Sequence, residues 1–179
     1  SQVAKHKPIL GIKTGRTEMG ARAVASHTGS LMKADTAIEA IFDKCGILSF
    51  RNQDEICQAA IGFAHQPLPK GPNVGIITNT GGPAIIATDE CIEGGLNIPD
   101  LTDETRQYLK ANLFPEASVN NPVDVLATAG PKEWALAIES LLKAPNIDSL
   151  LINFVTPFFV DCEAVVKEMS AIGGSAPGG

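Results

Sequence analysis

Short apolar runs alternate with helical-period stripes along this chain, and that alternation sets its class. Ile9 to Lys13 (ILGIK), following Pro8, predicts a short buried strand. A stretch of glycine and small residues then reads as a loop as far as Ser30. From Leu31 to Cys45 the apolar positions Leu31, Ala34, Ile38, Ile41 and Phe42 recur at helical spacing, and Gly46 supplies a stop. Ile47 to Phe50 predicts a second short strand. Asn52 or Asp54 can open the next helix, with Ile56, Ala60 and Phe63 on one face.

Gln66 to Pro72 holds three prolines in seven residues and reads as a linker. Beyond it, Asn73 to Thr78 is a strand that runs into Gly81-Gly82-Pro83 and a helix over Ala84 to Cys91, which Gly94-Gly95 ends. Leu96 to Leu101 reads as extended. Thr102, with Asp103 and Glu104 in the first turn, predicts a helix to about Leu113, although Thr105 stands where a full capping box wants Glu or Gln. Asn120 to Val125 is a turn entering a short strand. Pro131 suits the first residue of a helix to Leu142, Ile147 to Phe154 is a buried strand, and Asp161 to Ala171 a final helix.

Strands alternating with helices imply right-handed crossovers and parallel pairing. The fold class expected is therefore α/β, with flavodoxin-like, doubly wound parallel-sheet domains. The first unit, residues 1–66, has only two strands, too few for an independent sheet, and reads as the incomplete tail half of a domain. Residues 67–172 form the second domain, and 173–179 a flexible tail. Sheet edges left open in the first unit favour association and leave a homo-oligomer possible, with the oligomeric state open.

Composition narrows the classes. The chain has 179 residues, 44% of them hydrophobic but only 5% aromatic, so the core must be built from Ala, Val, Ile and Leu. A net charge of −6 argues against nucleic acid. No apolar run approaches the roughly 20 residues that span a bilayer, and Ser1 to Pro8 lacks the apolar centre of a signal peptide. A soluble, cytoplasmic protein fits. Cys45, Cys57, Cys91 and Cys162 show no metal-site spacing and read as buried spectator thiols, with no metal expected.

Two segments carry candidate chemistry. The first runs Gly15-Arg16-Thr17, Gly20-Ala21-Arg22, then Ser26-His27-Thr28-Gly29-Ser30. It sets His27 in what reads as a small-residue loop between strand and helix, where neutral imidazole is a nucleophile near pH 7. Ser26 and Thr28 can hydrogen-bond backbone or phosphate, and Gly29 permits a sharp turn. His6 and His65 read as solvent-facing. The second segment, Asn79-Thr80-Gly81-Gly82-Pro83, joins a strand to a helix whose first N–H groups and dipole suit an anion, though a plain tight turn accounts for the same residues equally. Neither Gly-x-Gly-x-x-Gly, a Gly-Lys-Ser/Thr phosphate loop, nor Gly-x-Ser-x-Gly occurs; Gly15 to Gly20 has the spacing of the second but continues Ala21-Arg22.

Gly11 to Arg16 together with Ala25 to Gly29 resembles the phosphohistidine segment of NDP-forming acyl-CoA synthetases, the superfamily that includes succinyl-CoA synthetase. Ile76 to Pro83, Asn121-Pro122-Val123-Asp124-Val125 and Asn153 to Pro157 look like the following ligase domain of the ADP-forming acetate type. That resemblance implies interconversion of acyl-CoA, ADP and phosphate with acid, CoA and ATP, through an acyl phosphate and a phosphohistidine. It implies His27 as the phosphorylated nucleophile, with Arg16, Ser26, Thr28 and Gly29 supporting its loop. Thr80, Gly81, Gly82 and Pro83 would then face the phosphoryl group at a helix start. Asn79 would help hold the acyl or phosphate group, and Thr156, Pro157, Phe158, Phe159 and Val160 would line the same pocket. It further implies that a CoA-binding Rossmann domain and ATP-grasp domains or a subunit, bringing CoA, ATP or ADP and Mg, lie outside this chain, which would be a fragment. Two other readings remain: a non-catalytic ligase-like module fused to a partner such as an acetyltransferase, and an unrelated flavodoxin-like ligand-binding domain.

Overall fold

The computed structural model describes residues 2–15, 17–28 and 35–175. The chain divides into Ser1–Leu68 and Pro69–Gly179. The division falls inside the exposed proline-rich segment, where the backbone has no ladder to join.

In the first unit a short 3-10 turn, Val3–Lys5, precedes β1 (Ile9–Ile12), α1 (Glu18–Thr28), α2 (Asp35–Cys45), β2 (Ile47–Phe50) and α3 (Gln53–His65). The two strands pair in parallel, Ile9 opposite Ile47 through Ile12 opposite Phe50. A side chain at Gly11 would stand 2.9 Å from the Phe42 ring, so glycine lets α2 lie close on the sheet. Gly46 ends α2 with φ +68, a conformation that favours glycine. Asn52 caps α3, its side-chain oxygen accepting from Glu55 N at 2.9 Å.

Here the structure departs from the sequence reading. Residues 18–28 are helical, and His27 stands in the last turn of α1 instead of in a loop. Glycine and the Ser-His-Thr run suggested a loop, but between them Glu18, Met19, Ala21, Arg22, Ala23 and Ala25 are good helix formers. Thr17 starts the helix: its hydroxyl accepts from Gly20 N at 3.1 Å and its carbonyl from Ala21 N at 2.8 Å. Glu18 and Arg22 pair one turn apart. Of the helix expected over Leu31 to Cys45, the part from Leu31 to Ala34 lies outside the described residues.

The second unit runs β3 (Val74–Thr78), α4 (Gly81–Glu93), α5 (Asp103–Asn112), β4 (Val123–Asp124), α6 (Pro131–Lys143), β5 (Ser149–Asn153) and α7 (Cys162–Ser175). Its sheet has the order β4-β3-β5 with every pairing parallel. The central strand β3 is buried along its whole length, which is why it reads as a continuous apolar run. Ile77, Val123, Val125, Leu109, Trp134, Leu141 and Val165 form the core beneath the helices. Trp134 meets Phe154 edge-to-face at 5.3 Å. The final helix continues to Ser175, so the expected tail is helical where it was to begin, and 176–179 lie outside the described residues. The cysteines also differ from expectation. Cys91 is buried, Cys45 and Cys162 are half-buried, and Cys57 is exposed on α3.

Candidate functional site

The carboxyl end of β3 is shaped by two buried polar residues, Thr78 and Asn79. The Thr78 hydroxyl donates to Thr80 O at 2.8 Å and accepts from Thr80 N at 3.1 Å, turning the chain into α4. The Asn79 amide spans to residue 155: Nδ2 donates to Val155 O at 2.7 Å, and Oδ1 accepts from Val155 N at 3.0 Å. Both polar atoms of Asn79 thus hold backbone, and the side chain is only 4% exposed. In this geometry Asn79 fixes the segment after β5 beside the end of β3; its place is that of a clamp and not of a hand held out to a ligand.

Next comes the start of α4. Thr80 occupies the N-cap position in an extended conformation but gives no side-chain bond to the first turn. By contrast Thr102 accepts from Thr105 N in α5, as Asn52 does for α3. Gly81 and Gly82 are exposed, and a Cβ on either would meet nothing within 4 Å. Neither has the positive φ that would demand glycine. Among the described residues, neither turn geometry nor packing requires glycine at either position. Pro83, in the first turn, lacks only an N–H that would have no helical partner. A cleft of about 360 Å³ opens beside this turn at the carboxyl ends of β3 and β4, with Thr78, Gly81, Ala84, Ile85, Ser118 and Asp124 among its walls.

The Thr156–Val160 segment follows β5, on the other edge of the sheet from β4, and is not part of that cleft. Phe158 is 99% exposed and Phe159 56%, their rings edge-to-face at 5.1 Å. The Pro157 and Val160 carbonyls accept from Cys162 Sγ at 3.3 and 3.4 Å. Thr156 is exposed.

In the first unit, Ser26 donates its hydroxyl to Ala23 O at 2.7 Å, within its own helix, and so supports no loop. Arg16 and Gly29 lie outside the described residues, as do the side chains of His27 and Thr28. His6 and His65 are exposed. The sequence reading passed over Lys13. It follows β1 directly, is 7% exposed, and sets Nζ 3.0 Å from Glu39 Oε1 on α2. The available signal was a lysine closing an otherwise apolar strand. Among the described residues no three His, Cys, Asp or Glu side chains gather as metal ligands.

Residues 1–63 match the family described as succinyl-CoA ligase like flavodoxin domain, and 74–177 the Ligase-CoA domain. The chain is 37% identical over 182 residues to the alpha subunit of ADP-forming acetate–CoA ligase II from Pyrococcus furiosus, covering 98% of this chain and 40% of that protein. It is 35% identical over 151 residues to the ADP-forming 4-hydroxybutyrate–CoA ligase of Nitrosopumilus maritimus, covering 84% of this chain and 21% of the other. Among solved structures, dinucleotide-forming acetyl-coenzyme A synthetase 1 of Ca. Korarchaeum cryptofilum, in complex with phosphate and ADP, superposes with a TM-score of 0.86 at 28% identity. That match takes in 99% of this chain and 39% of the other. The chain thus spans two fifths or less of the length of these relatives.

Proposed function

The chain belongs to the Ligase-CoA domain family, with a succinyl-CoA ligase like flavodoxin domain ahead of it, and from that premise we propose that it is the phosphohistidine-bearing part of an ADP-forming acyl-CoA synthetase. In this reading His27 takes the phosphoryl group from an acyl phosphate. The lone pair of one ring nitrogen forms the N–P bond as the P–O bond to the acyl carbon breaks, and that electron pair leaves on the carboxylate. An ADP phosphate oxygen then forms the new P–O bond, and the N–P pair returns to the ring.

The observation that carries the proposal is the start of α4. Its first turn has no side-chain cap and two exposed glycines that nothing among the described residues requires. A phosphoryl group with close to two negative charges needs donors preorganised in this way. Asn79 and Thr78 hold the turn in shape from below. The Phe158–Phe159 pair, exposed here, would pack against another part of the enzyme or the acyl group. CoA, ATP or ADP and Mg would be held by the CoA-binding Rossmann and ATP-grasp parts of the enzyme. No helix among the described residues is long and apolar enough to cross a membrane.

The test uses the enzyme that contains this chain. Incubation with labelled ATP should give acid-labile phosphate on the parent and none on His27→Ala, with CoA-thioester formation lost as well. Wild-type turnover by His27→Ala would leave the non-catalytic module as the better reading.

A further inference from the structure

The cleft at the carboxyl ends of β3 and β4 begins at Gly81, the first residue of α4, and follows that helix as far as Asp89. That stretch of helix rises about 12 Å, and a volume of about 360 Å³ is that of a small-molecule site. Side-chain alternation decides what faces it. Val123 and Val125, which flank Asp124, are both fully buried in the core. Asp124 therefore turns to the opposite face of the sheet, where it joins Ala84 and Ile85 of α4 among the walls of the cleft. Its Oδ1 accepts from Leu126 N at 2.9 Å, and Oδ2 has no hydrogen-bond partner among the described residues. Leu126 takes φ +75, a left-handed conformation that favours glycine, so this bond holds a strained turn as well as the carboxylate. The walls carry two carboxylates, Asp89 and Asp124, and apolar surface from Ala84, Ile85 and Pro122, with no lysine, arginine or histidine among them. On the β5 side of β3, the Asn79 amide bridges to the Val155 backbone. A group attached to a phosphoryl at the start of α4 thus finds its room on the β4 side.

Resting on the reading of the α4 start as the phosphoryl site, we propose that this cleft receives the acyl chain of the acyl phosphate and that Asp124 determines its specificity. Asp124 admits uncharged chains and excludes a second carboxylate. A chain ending in a carboxylate would bring like charge against Asp124 in a partly desolvated cleft, with no cation on the walls to offset it. An uncharged chain meets apolar walls, and burying it there is favourable. Discrimination then comes from one repulsive group instead of from closer contacts to the preferred acid.

Butyrate and succinate have equal numbers of carbons and differ at the far end, methyl against carboxylate. The test measures kcat/KM for CoA-thioester formation from each, and from acetate, by the enzyme that contains this chain. The parent is compared with Asp124→Asn and Ile85→Trp, with thermal melting alongside. The parent should favour butyrate over succinate by about a hundredfold, and Asp124→Asn should cut that ratio at least about tenfold, the scale of one like-charge contact. Asparagine keeps the oxygen that accepts from Leu126 N, so the melting temperature should hold. Ile85→Trp narrows the cleft from an exposed position and should lower kcat/KM for butyrate about tenfold more than for acetate. An unchanged butyrate-to-succinate ratio in Asp124→Asn overturns the proposal, as does a parent that takes both acids equally. A raised KM for CoA with that ratio unchanged puts the pantetheine arm of CoA in the cleft and overturns it too. Should Asp124→Asn fail to fold, the butyrate-to-acetate ratio of Ile85→Trp decides alone, and an unchanged value overturns the proposal. Wild-type turnover by His27→Ala would instead fail the phosphohistidine reading, and with it the premise of this inference.

Discussion

At the scale of single residues, glycine is the sharpest marker in this chain, because its two uses separate cleanly. Gly11 answers to a neighbour inside the molecule, the Phe42 ring. Gly82 answers to none of the described residues. Gly82→Ala should therefore leave stability unchanged or raise it by up to about 1 kcal/mol, since alanine narrows the unfolded ensemble and suits a helix. The same methyl would stand where, on the proposed function, an anion approaches the first-turn amides. Phosphate-dependent conversion of acyl-CoA and ADP into acid, CoA and ATP should fall by at least about tenfold, the scale of losing oriented donors. Urea denaturation and steady-state kinetics on the same preparation check both halves. Normal activity in Gly82→Ala would remove the anion site from the start of α4.

Elements in this fold are held by side chains that imitate backbone. Asn121 accepts from Ile76 N at 2.9 Å and donates to the carbonyls of Val74 and Pro99, each at 2.9 Å. β4 is only two residues long and pairs with Ile77 and Thr78. Asn121 thus does for the earlier part of β3 what a longer strand would do. Asn121→Ala should cost about 3 kcal/mol, three bonds at roughly 1 kcal/mol each with buried backbone left unpaired. Thr102→Ala, which removes one cap bond from α5, should cost about 1 kcal/mol. Urea midpoints of the two variants give the comparison, and equal losses would mean that Asn121 does not complete β3. The same contrast shows what could be read in advance. Caps act three residues away, so Asn52 and Thr102 were legible, as were β2 and the alternation of strands and helices. Asn79 and Asn121 act across 76 and 45 residues, beyond any local pattern. The helix around His27 was missed for a different reason: Gly20 and the Ser-His-Thr run carried more weight than the alanines, glutamate and arginine between them. The start of α4 was legible as a strand-to-helix junction, but only its missing cap and open glycines favour an anion over a plain turn.

At the scale of the whole molecule the two units differ in kind. Every buried apolar residue among those described, from Val74 to Val165, belongs to the second unit. In the first, Ile12, Ile41, Leu48, Ile61 and Phe63 are all exposed, on and around a two-stranded sheet. Two strands with open faces bury too little apolar surface to offset the entropy of ordering the chain. The second unit has three parallel strands, helices packed on them, and a fully buried tryptophan. Residues 69–179 produced alone should therefore unfold cooperatively in urea, with a slope on the order of 1–2 kcal/mol per M for a domain of this size. Trp134 is the one tryptophan in the chain and reports the transition as its emission shifts to the red. Residues 1–68 alone should show no cooperative transition by circular dichroism. If this piece melted sharply on its own, its apolar faces would have to be closing on each other, and the two-stranded unit would need no strands from elsewhere. If it does not, the unit acquires its fixed geometry only when further strands cover β1 and β2, and the phosphoryl transfer proposed for His27 would depend on that assembly.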